Sequence, residues 1–402
     1  MEEPMRFLLI DTSQNVLGGV ETLIARMSGW LVTNGHEVTI LTESYRNWGY
    51  VLPKGVHCIA LGARFRELWH YFHAKKLWKT LDIPAPDVIK TFRLRPTWIA
   101  CQLAALAGNR CKVIAGIYEP EVFNVQYAPR SLALWKVDRL HDRLHLKNFL
   151  ENIPPSARVF CFANEMKELE DVYHQRAVLW PLPIDTKQFL PAVRRPKWGK
   201  LVSVGRLSEM KEYNLYMIDV VRDLINKGYD VSWSVYGEGK YKSEMRERIK
   251  SQGLEAAIEL KGLVPYERFW QALEDAYVFV GMGTAILEAS FFGVPNVFAR
   301  PYDRQGLTYG PIYRHPLGST VPTHNCPPTL RVTDEIERIL RLSPSEYLAE
   351  EALVRNHVQG HEMDASMRQF LKLVQDAEPF VRRPFLYLAS YPLYLFRHLN
   401  RA

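Results

Sequence analysis

The sequence predicts an α/β protein built from two doubly wound parallel sheets. Three features predict it: short, continuously apolar runs alternating with helical spacing, a restart of that alternation near residue 200, and a length of 402 residues, too great for one ordinary core. RFLLID (6–11) is an apolar run suited to a buried strand. VETLIARMSGWLVTNG (20–35) follows with Leu23, Ile24, Met27, Trp30 and Leu31 on one helical face and Gly35 to close the helix. HEVTILTE (36–43) is the second strand, and DVIKTF (87–92), KVIAGIY (112–118) and RVFCFA (158–163) are further strands with helices between. The cycle then begins again. LVSVG (201–205), VSWSVYG (231–237), IELKG (258–262), YVFVG (277–281) and PNVFA (295–299) are strands, separated by helices over 213–227, 240–252, 265–275 and 284–292. WPLPIDTKQFLPAVRRPKWG (180–199), with four prolines, is the expected linker. The domains are therefore expected at 1–182 and 183–377. Sheets of this kind bind ligands at the carboxyl ends of their strands, and two facing sheets would hold one in the cleft.

Hydrophobic content of 47% and charged content of 24% describe a globular protein. The charge balance is 51 − 44 = +7, an excess that attracts anionic partners of any kind without choosing among them. Cys58, Cys101, Cys111, Cys161 and Cys326 are scattered, odd in number and without a CxxC pair, which points to free thiols in a reducing compartment. MEEPMRFLLID starts acidic with too short an apolar stretch for a signal peptide, and no run approaches a membrane-spanning length. The expected location is cytoplasmic.

Two strand–turn–helix units carry the chemistry. Arg206 and Lys211 fall just past the end of one strand, and Gly281, Gly283 and Thr284 fall at the start of a helix with Glu288 one turn in. Two cations, bare amides at a helix N-terminus and one carboxylate suit the diphosphate and ribose of an activated sugar. Solvated loop cations and a first-turn acid complementing the helix dipole are the plain alternatives. Gly18-Gly19 after the first strand would let the backbone approach a phosphate or sugar closely, or would simply form a turn. Glu21, on the first turn of the following helix, is given no catalytic role. YGEG (236–239) fails as a dinucleotide fingerprint, because its third glycine would fall at Lys242.

Both halves resemble the GT-B glycosyltransferases of the large retaining family 4. The resemblance rests on GGVETLIARMSGWLVTNGHEVTILT (18–42), VGRLSEMK (204–211), YGEG (236–239), LKGLVPYERFWQALEDAYVFV (260–280) and GTAILEASFFGVPNV (283–297). It implies two Rossmann-like domains facing a cleft, and transfer of a sugar from a nucleotide-diphosphate donor, UDP-sugar favoured and GDP-sugar possible, to a glycan hydroxyl. Arg206 and Lys211 match the family's phosphate-clamping pair. They would stabilise the departing diphosphate in place of a metal, and no Asp-x-Asp sequence or cofactor is expected. Gly18 and Gly19 match the loop beside the diphosphate and sugar. Gly237 would line the nucleotide pocket, the stretch with Leu263 and Val264 would pin the base through main-chain groups, and Glu288 would accept from the ribose hydroxyls.

Two positions depart from the family. A second glutamate usual eight residues before Glu288 is here Val280, and a histidine usual after KVIAGIY is replaced in Tyr118-Glu119-Pro120-Glu121, with Glu119 the expected occupant of its place. Three basic and aromatic stretches, 65–81, 131–150 and 379–402, suit either an anionic bilayer surface or ordinary packing. The expected acceptor is a lipid-linked precursor of O-antigen, capsule or lipopolysaccharide, with peripheral membrane contact and no nucleic-acid partner. A sugar-nucleotide epimerase on the same fold and a non-catalytic sugar-nucleotide binder are the rival readings.

Overall fold

The computed structural model describes residues 3–11, 19–42, 52–61, 73–94, 96–108, 110–118, 146–147, 149–161, 163–187, 193–265, 268–314 and 328–381. Two compact units result: residues up to Pro183 with the chain from Ser366 onward, and Ile184–Ala365.

The first unit is a seven-stranded sheet in the order β3-β2-β1-β4-β5-β6-β7. Its strands are β1 (Arg6–Asp11), β2 (Glu37–Thr42), β3 (Val56–Ala60), β4 (Val88–Thr91), β5 (Lys112–Ile117), β6 (Arg158–Phe160) and β7 (Val178–Leu179). Every pairing is parallel, so all the carboxyl ends lie along one edge. Helices α1 (Gly19–Thr33), α2 (Ala74–Leu81), α3 (Pro96–Ala107) and α4 (Ala163–Tyr173) make the crossovers. Because helices cover both faces, β1 and β4 are buried along nearly their whole length, which is why they read as unbroken apolar runs.

The proline-rich stretch does not begin as a spacer. Trp180, Leu182 and Ile184 are all buried. The indole of Trp180 donates to Ser366 O at 2.9 Å and its ring meets Phe370 at 4.9 Å. Ser366 lies in the first turn and Phe370 at the middle of a late helix, Met363–Asp376, most of which belongs to the first unit. Lys112 Nζ donates to Val374 O at 2.8 Å and Gln375 O at 2.7 Å, a cation satisfying the carbonyls at that helix's C-terminus. Beyond the helix, Glu378 N donates to Ser156 Oγ and Val381 N to Asn152 O, so the described end of the chain also lies on this unit.

The second unit is a five-stranded parallel sheet, β10-β9-β8-β11-β12. Its strands are β8 (Lys200–Val204), β9 (Ser232–Tyr236), β10 (Ile258–Gly262), β11 (Val278–Gly281) and β12 (Asn296–Phe298). Helices α5 (Tyr213–Asn226), α6 (Lys242–Ser251), α7 (Phe269–Leu273) and α8 (Thr284–Phe291) connect them, and α9 (Val332–Leu340) and α10 (Pro344–His357) follow. Trp233, Phe279 and Phe298 are fully buried and anchor the core. A small antiparallel pair, Leu307–Thr308 with Leu330–Arg331, closes the unit.

Boundaries predicted from periodicity fall within a few residues of these elements for most strands and helices. Periodicity did not predict the edge strand β3, the two-residue β7 or the helices from Val332 onward. Cys58, Cys101, Cys111 and Cys161 are free thiols, and Cys326 lies outside the described residues. No helix among the described residues is long and apolar enough to cross a membrane.

Candidate functional site

At the carboxyl edge of the second sheet, the loops after β8 and β9 are laced together by main-chain bonds. Gly205 N donates to Tyr236 O at 2.9 Å, Leu207 N to Glu238 O at 2.9 Å and Tyr241 N to Leu207 O at 3.2 Å. Gly237 N reaches Gly262 O at 2.7 Å, which ties in the end of β10. Gly237 has φ +159°, and a Cβ there would strike Gly205 O, so only glycine lets the loops approach this closely. The glycines of YGEG thus serve loop packing at a site edge.

Arg206 stands exposed on this laced loop. Lys211 ends a one-turn 3-10 helix, Glu209–Lys211, and its chain turns back until Nζ rests on the backbone of Gly205, where a Cβ would fall on that nitrogen. Withdrawal from water, followed by the neighbouring charge of Arg206, brings the ammonium down to about 8, while the Glu288 carboxylate opposes the drop. Arg206, Lys211 and Glu288 therefore share one electrostatic neighbourhood.

Glu288 is 3% exposed and sits in the second turn of α8. Gly281 is the last residue of β11 rather than the start of the helix, and its carbonyl accepts from Ala299 N at 2.8 Å. Gly283 is the N-cap at φ +70°, a left-handed conformation that favours glycine, and Thr284 opens the helix. No side chain caps α8 and no acid occupies its first turn, so its positive end is presented by backbone amides. Leu263 is 69% exposed just past β10, with Val264 half-buried beside it.

Val280 is fully buried inside β11. Its carbonyl accepts from Ser203 Oγ at 2.8 Å, and that hydroxyl accepts from Trp233 Nε1 at 3.0 Å. The position carries a core side chain.

In the first unit, Gly19 opens α1. Gly18 and Glu119 lie outside the described residues, as does all of 379–402 beyond Val381, most of 131–150 and residues 65–72 of the stretch 65–81. At the carboxyl edge of this sheet Arg93 Nε donates to Asp11 Oδ1 at 3.0 Å and approaches Glu21 Oε1 at 3.6 Å. Glu21 is thus a buried ion-pair partner. Sequence reasoning missed this cluster, because Asp11 and Arg93 are 82 positions apart and no local motif links them.

Residues 17–188 match the family model "Glycosyltransferase Family 4" and residues 188–303 match "Glycosyl transferases group 1". A phosphatidylinositol N-acetylglucosaminyltransferase subunit of Arabidopsis thaliana is 23% identical over 70% of this chain and 64% of its own length. The colanic acid biosynthesis glycosyltransferase WcaL of Escherichia coli, itself a provisional assignment, is 28% identical over 28% of this chain. The chain spans less than two thirds of the length of these relatives, 64% and 31% respectively. Amylovoran biosynthesis glycosyltransferase AmsD of Erwinia amylovora is 21% identical over 72% of this chain and 79% of its own. Among solved structures, sucrose-phosphate synthase from Thermosynechococcus elongatus superposes with TM-score 0.67 at 16% identity, covering 92% of this chain and 98% of that one. Anabaena HepE in complex with UDP and glucose gives TM-score 0.64 at 13% identity, covering 92% and 99%. Two parallel sheets, a glycine-laced cationic loop and matches that together run over residues 17–303 lead to one conclusion: the chain belongs to the GT-B glycosyltransferases of the family 4 type.

Proposed function

We propose that this protein is a retaining, metal-independent glycosyltransferase that moves a sugar from a nucleotide-diphosphate donor, UDP-sugar before GDP-sugar, to a hydroxyl of a glycan acceptor. One observation carries the reading: Arg206 and Lys211, on the loop after β8, and Glu288, in α8, lie within electrostatic reach of one another, and α8 has an N-terminus that no side chain caps. A diphosphate gains negative charge as the glycosidic bond breaks, and two fixed cations with helix amides stabilise that charge without a metal. Glu288 accepts from the ribose hydroxyls. Main-chain groups around Gly237, Leu263 and Val264 hold the base, with the exposed Leu263 offering an apolar surface to it. Gly281, Gly283 and Thr284 supply the amide end of α8. Gly18, Gly19 and Glu119 serve the sugar and acceptor from the first unit. Front-face attack, with the leaving phosphate taking the acceptor proton, accounts for retention without a protein nucleophile.

The acceptor in this reading is a lipid-linked precursor of O-antigen, capsule or lipopolysaccharide, met at the cytoplasmic membrane face. The names of relatives support a surface-glycan role: colanic acid and amylovoran biosynthesis for two, and a phosphatidylinositol substrate for a third.

The test has three arms. Thermal stabilisation by UDP-, GDP- and dTDP-sugars selects the donor. Incubation with donor alone and then with lipid-linked glycan follows nucleotide release, and proton NMR of the product reads the anomeric configuration. Acceptor-dependent release with the donor's configuration kept is the expected result. Donor conversion without acceptor would indicate an epimerase, and binding without release would indicate a non-catalytic binder.

A further inference from the structure

The loop after β12, residues 299–306, holds none of the groups assigned above, yet it is bolted to the turn that carries Lys211. Tyr302 N donates to Met210 O at 3.1 Å. Arg304 embraces the carboxylate of Glu212, the residue after Lys211, through Nε at 2.9 Å and Nη2 at 2.6 Å. Tyr241, from the loop after β9, donates its hydroxyl to the same carboxylate at 3.1 Å. Glu212 is thus a buried hub joining three loops of the sheet edge, and the guanidinium keeps its carboxyl below the usual carboxylate range.

The Arg304 loop is itself rigidly specified. Asp303 accepts from Leu307 N at 3.0 Å and from Arg300 Nη1 at 3.3 Å. Tyr302 is held at φ +55°, a left-handed conformation that costs a non-glycine residue roughly 1 kcal/mol and persists only where its surroundings impose it. The turn Glu209–Lys211 needs such a support. It spans a single turn, no side chain caps it, and its last residue holds an ammonium withdrawn from water and beside Arg206. Burial and Arg206 disfavour that ammonium while Glu288 favours it, and the Met210 and Glu212 contacts tie its turn to the loop after β12.

We infer that Glu212 and Arg304 are positioning residues that hold Lys211 against the diphosphate. This inference rests on the donor-binding reading of the site. The bidentate geometry makes the latch an arginine-specific device, because lysine offers a single point charge to the same carboxylate.

Arg304 has a side chain 77% exposed, so its removal leaves no cavity and the Arg304→Ala variant is expected to fold, which its melting temperature checks. The experiment compares calorimetric binding of UDP and uridine, or of GDP and guanosine where GDP is the nucleotide that stabilises the protein. It uses wild type, Arg304→Ala, Arg304→Lys, Lys211→Ala and the double variant Arg304→Ala/Lys211→Ala. Arg304→Ala is expected to weaken diphosphate binding about tenfold while leaving the nucleoside unchanged, with Arg304→Lys recovering only part of the loss. In the Lys211→Ala background, Arg304→Ala should add nothing, the signature of a residue acting through another. An equal Arg304→Ala effect in both backgrounds would mean direct phosphate contact and overturns the latch. So does a silent Arg304→Ala alongside a damaging Lys211→Ala. A silent Lys211→Ala removes the diphosphate clamp itself, and the latch with it.

Discussion

Lys211 Nζ rests on the backbone of Gly205, in the space that any Cβ at residue 205 would occupy. The glycine of the strand-ending loop thus makes room for the lysine proposed to clamp the diphosphate. Gly205→Ala should expel the ammonium and weaken nucleoside diphosphate binding roughly ten- to a hundredfold, the range for one charge-assisted hydrogen bond. Nucleoside binding should hold, because the contacts proposed for the base and ribose lie elsewhere. Since Gly205 has φ +154°, backbone strain of about 1–3 kcal/mol accompanies the change, and melting temperature should be read beside affinity. Parallel losses for nucleoside and diphosphate would mean that the loop had collapsed.

Glu288 raises the proton affinity of Lys211, against burial and Arg206. Diphosphate affinity of the wild type should therefore fall as pH rises through about 8, where the free ammonium loses its proton. Glu288→Gln keeps the shape and removes the charge, so the fall should begin at lower pH. The proposed ribose role predicts that nucleoside binding also weakens, by about tenfold for one lost hydrogen bond to a charged acceptor. Isothermal titration of UDP and uridine between pH 6 and about 9.5 separates the two effects, and superimposable pH profiles for the two proteins would refute the coupling.

The fold was legible because parallel strands covered on both faces are mostly apolar, as the centre of RFLLID and most of LVSVG and YVFVG are. Strand β3 escaped because it is an edge: VHCIA is half-exposed, with His57 and Cys58 interrupting the apolar pattern. The helix from Pro344 was not predicted, although Ser343 and Glu346, which form a reciprocal capping box of the S-x-x-E kind, are a local signal that could have found it. Arg206, Lys211 and Glu288 were readable from local spacing, whereas Arg304 and Glu212 stand 92 positions apart on unrelated loops. Charge pairs across such distances have no local signature, and only the folded chain brings them together.

Position 280 shows how a family pattern and a packed core diverge. Restoring the family's glutamate by Val280→Glu would place a carboxylate at a fully buried strand position whose carbonyl already accepts from Ser203. The cost is several kcal/mol, and the variant should melt many degrees lower or fail to fold. Ser203→Ala should cost about 1–3 kcal/mol in denaturant unfolding, since it strands both Trp233 Nε1 and Val280 O. A stable Val280→Glu protein with faster transfer would show instead that residue 280 faces the sugar.

Lys90 is the least conventional residue of the first unit: a fully buried lysine in the central strand β4. Its Nζ donates to Thr91 O at 2.9 Å and lies 4.9 Å from the ring centroids of both Phe92 and Tyr118. Those ring faces favour the ammonium, but burial favours the neutral amine and wins, bringing Lys90 from 10.5 to about 7. Between those two values the unfolded chain binds a proton that the folded chain refuses. The penalty is therefore complete below about pH 7 and fades as pH climbs toward 10.5. Lys90→Met, similar in length and uncharged, should be more stable than wild type by several kcal/mol at pH 6, with the gap closing as pH approaches 10. Urea unfolding of both proteins across that range measures it, and a gap that stays constant with pH would show that Lys90 titrates as an ordinary lysine.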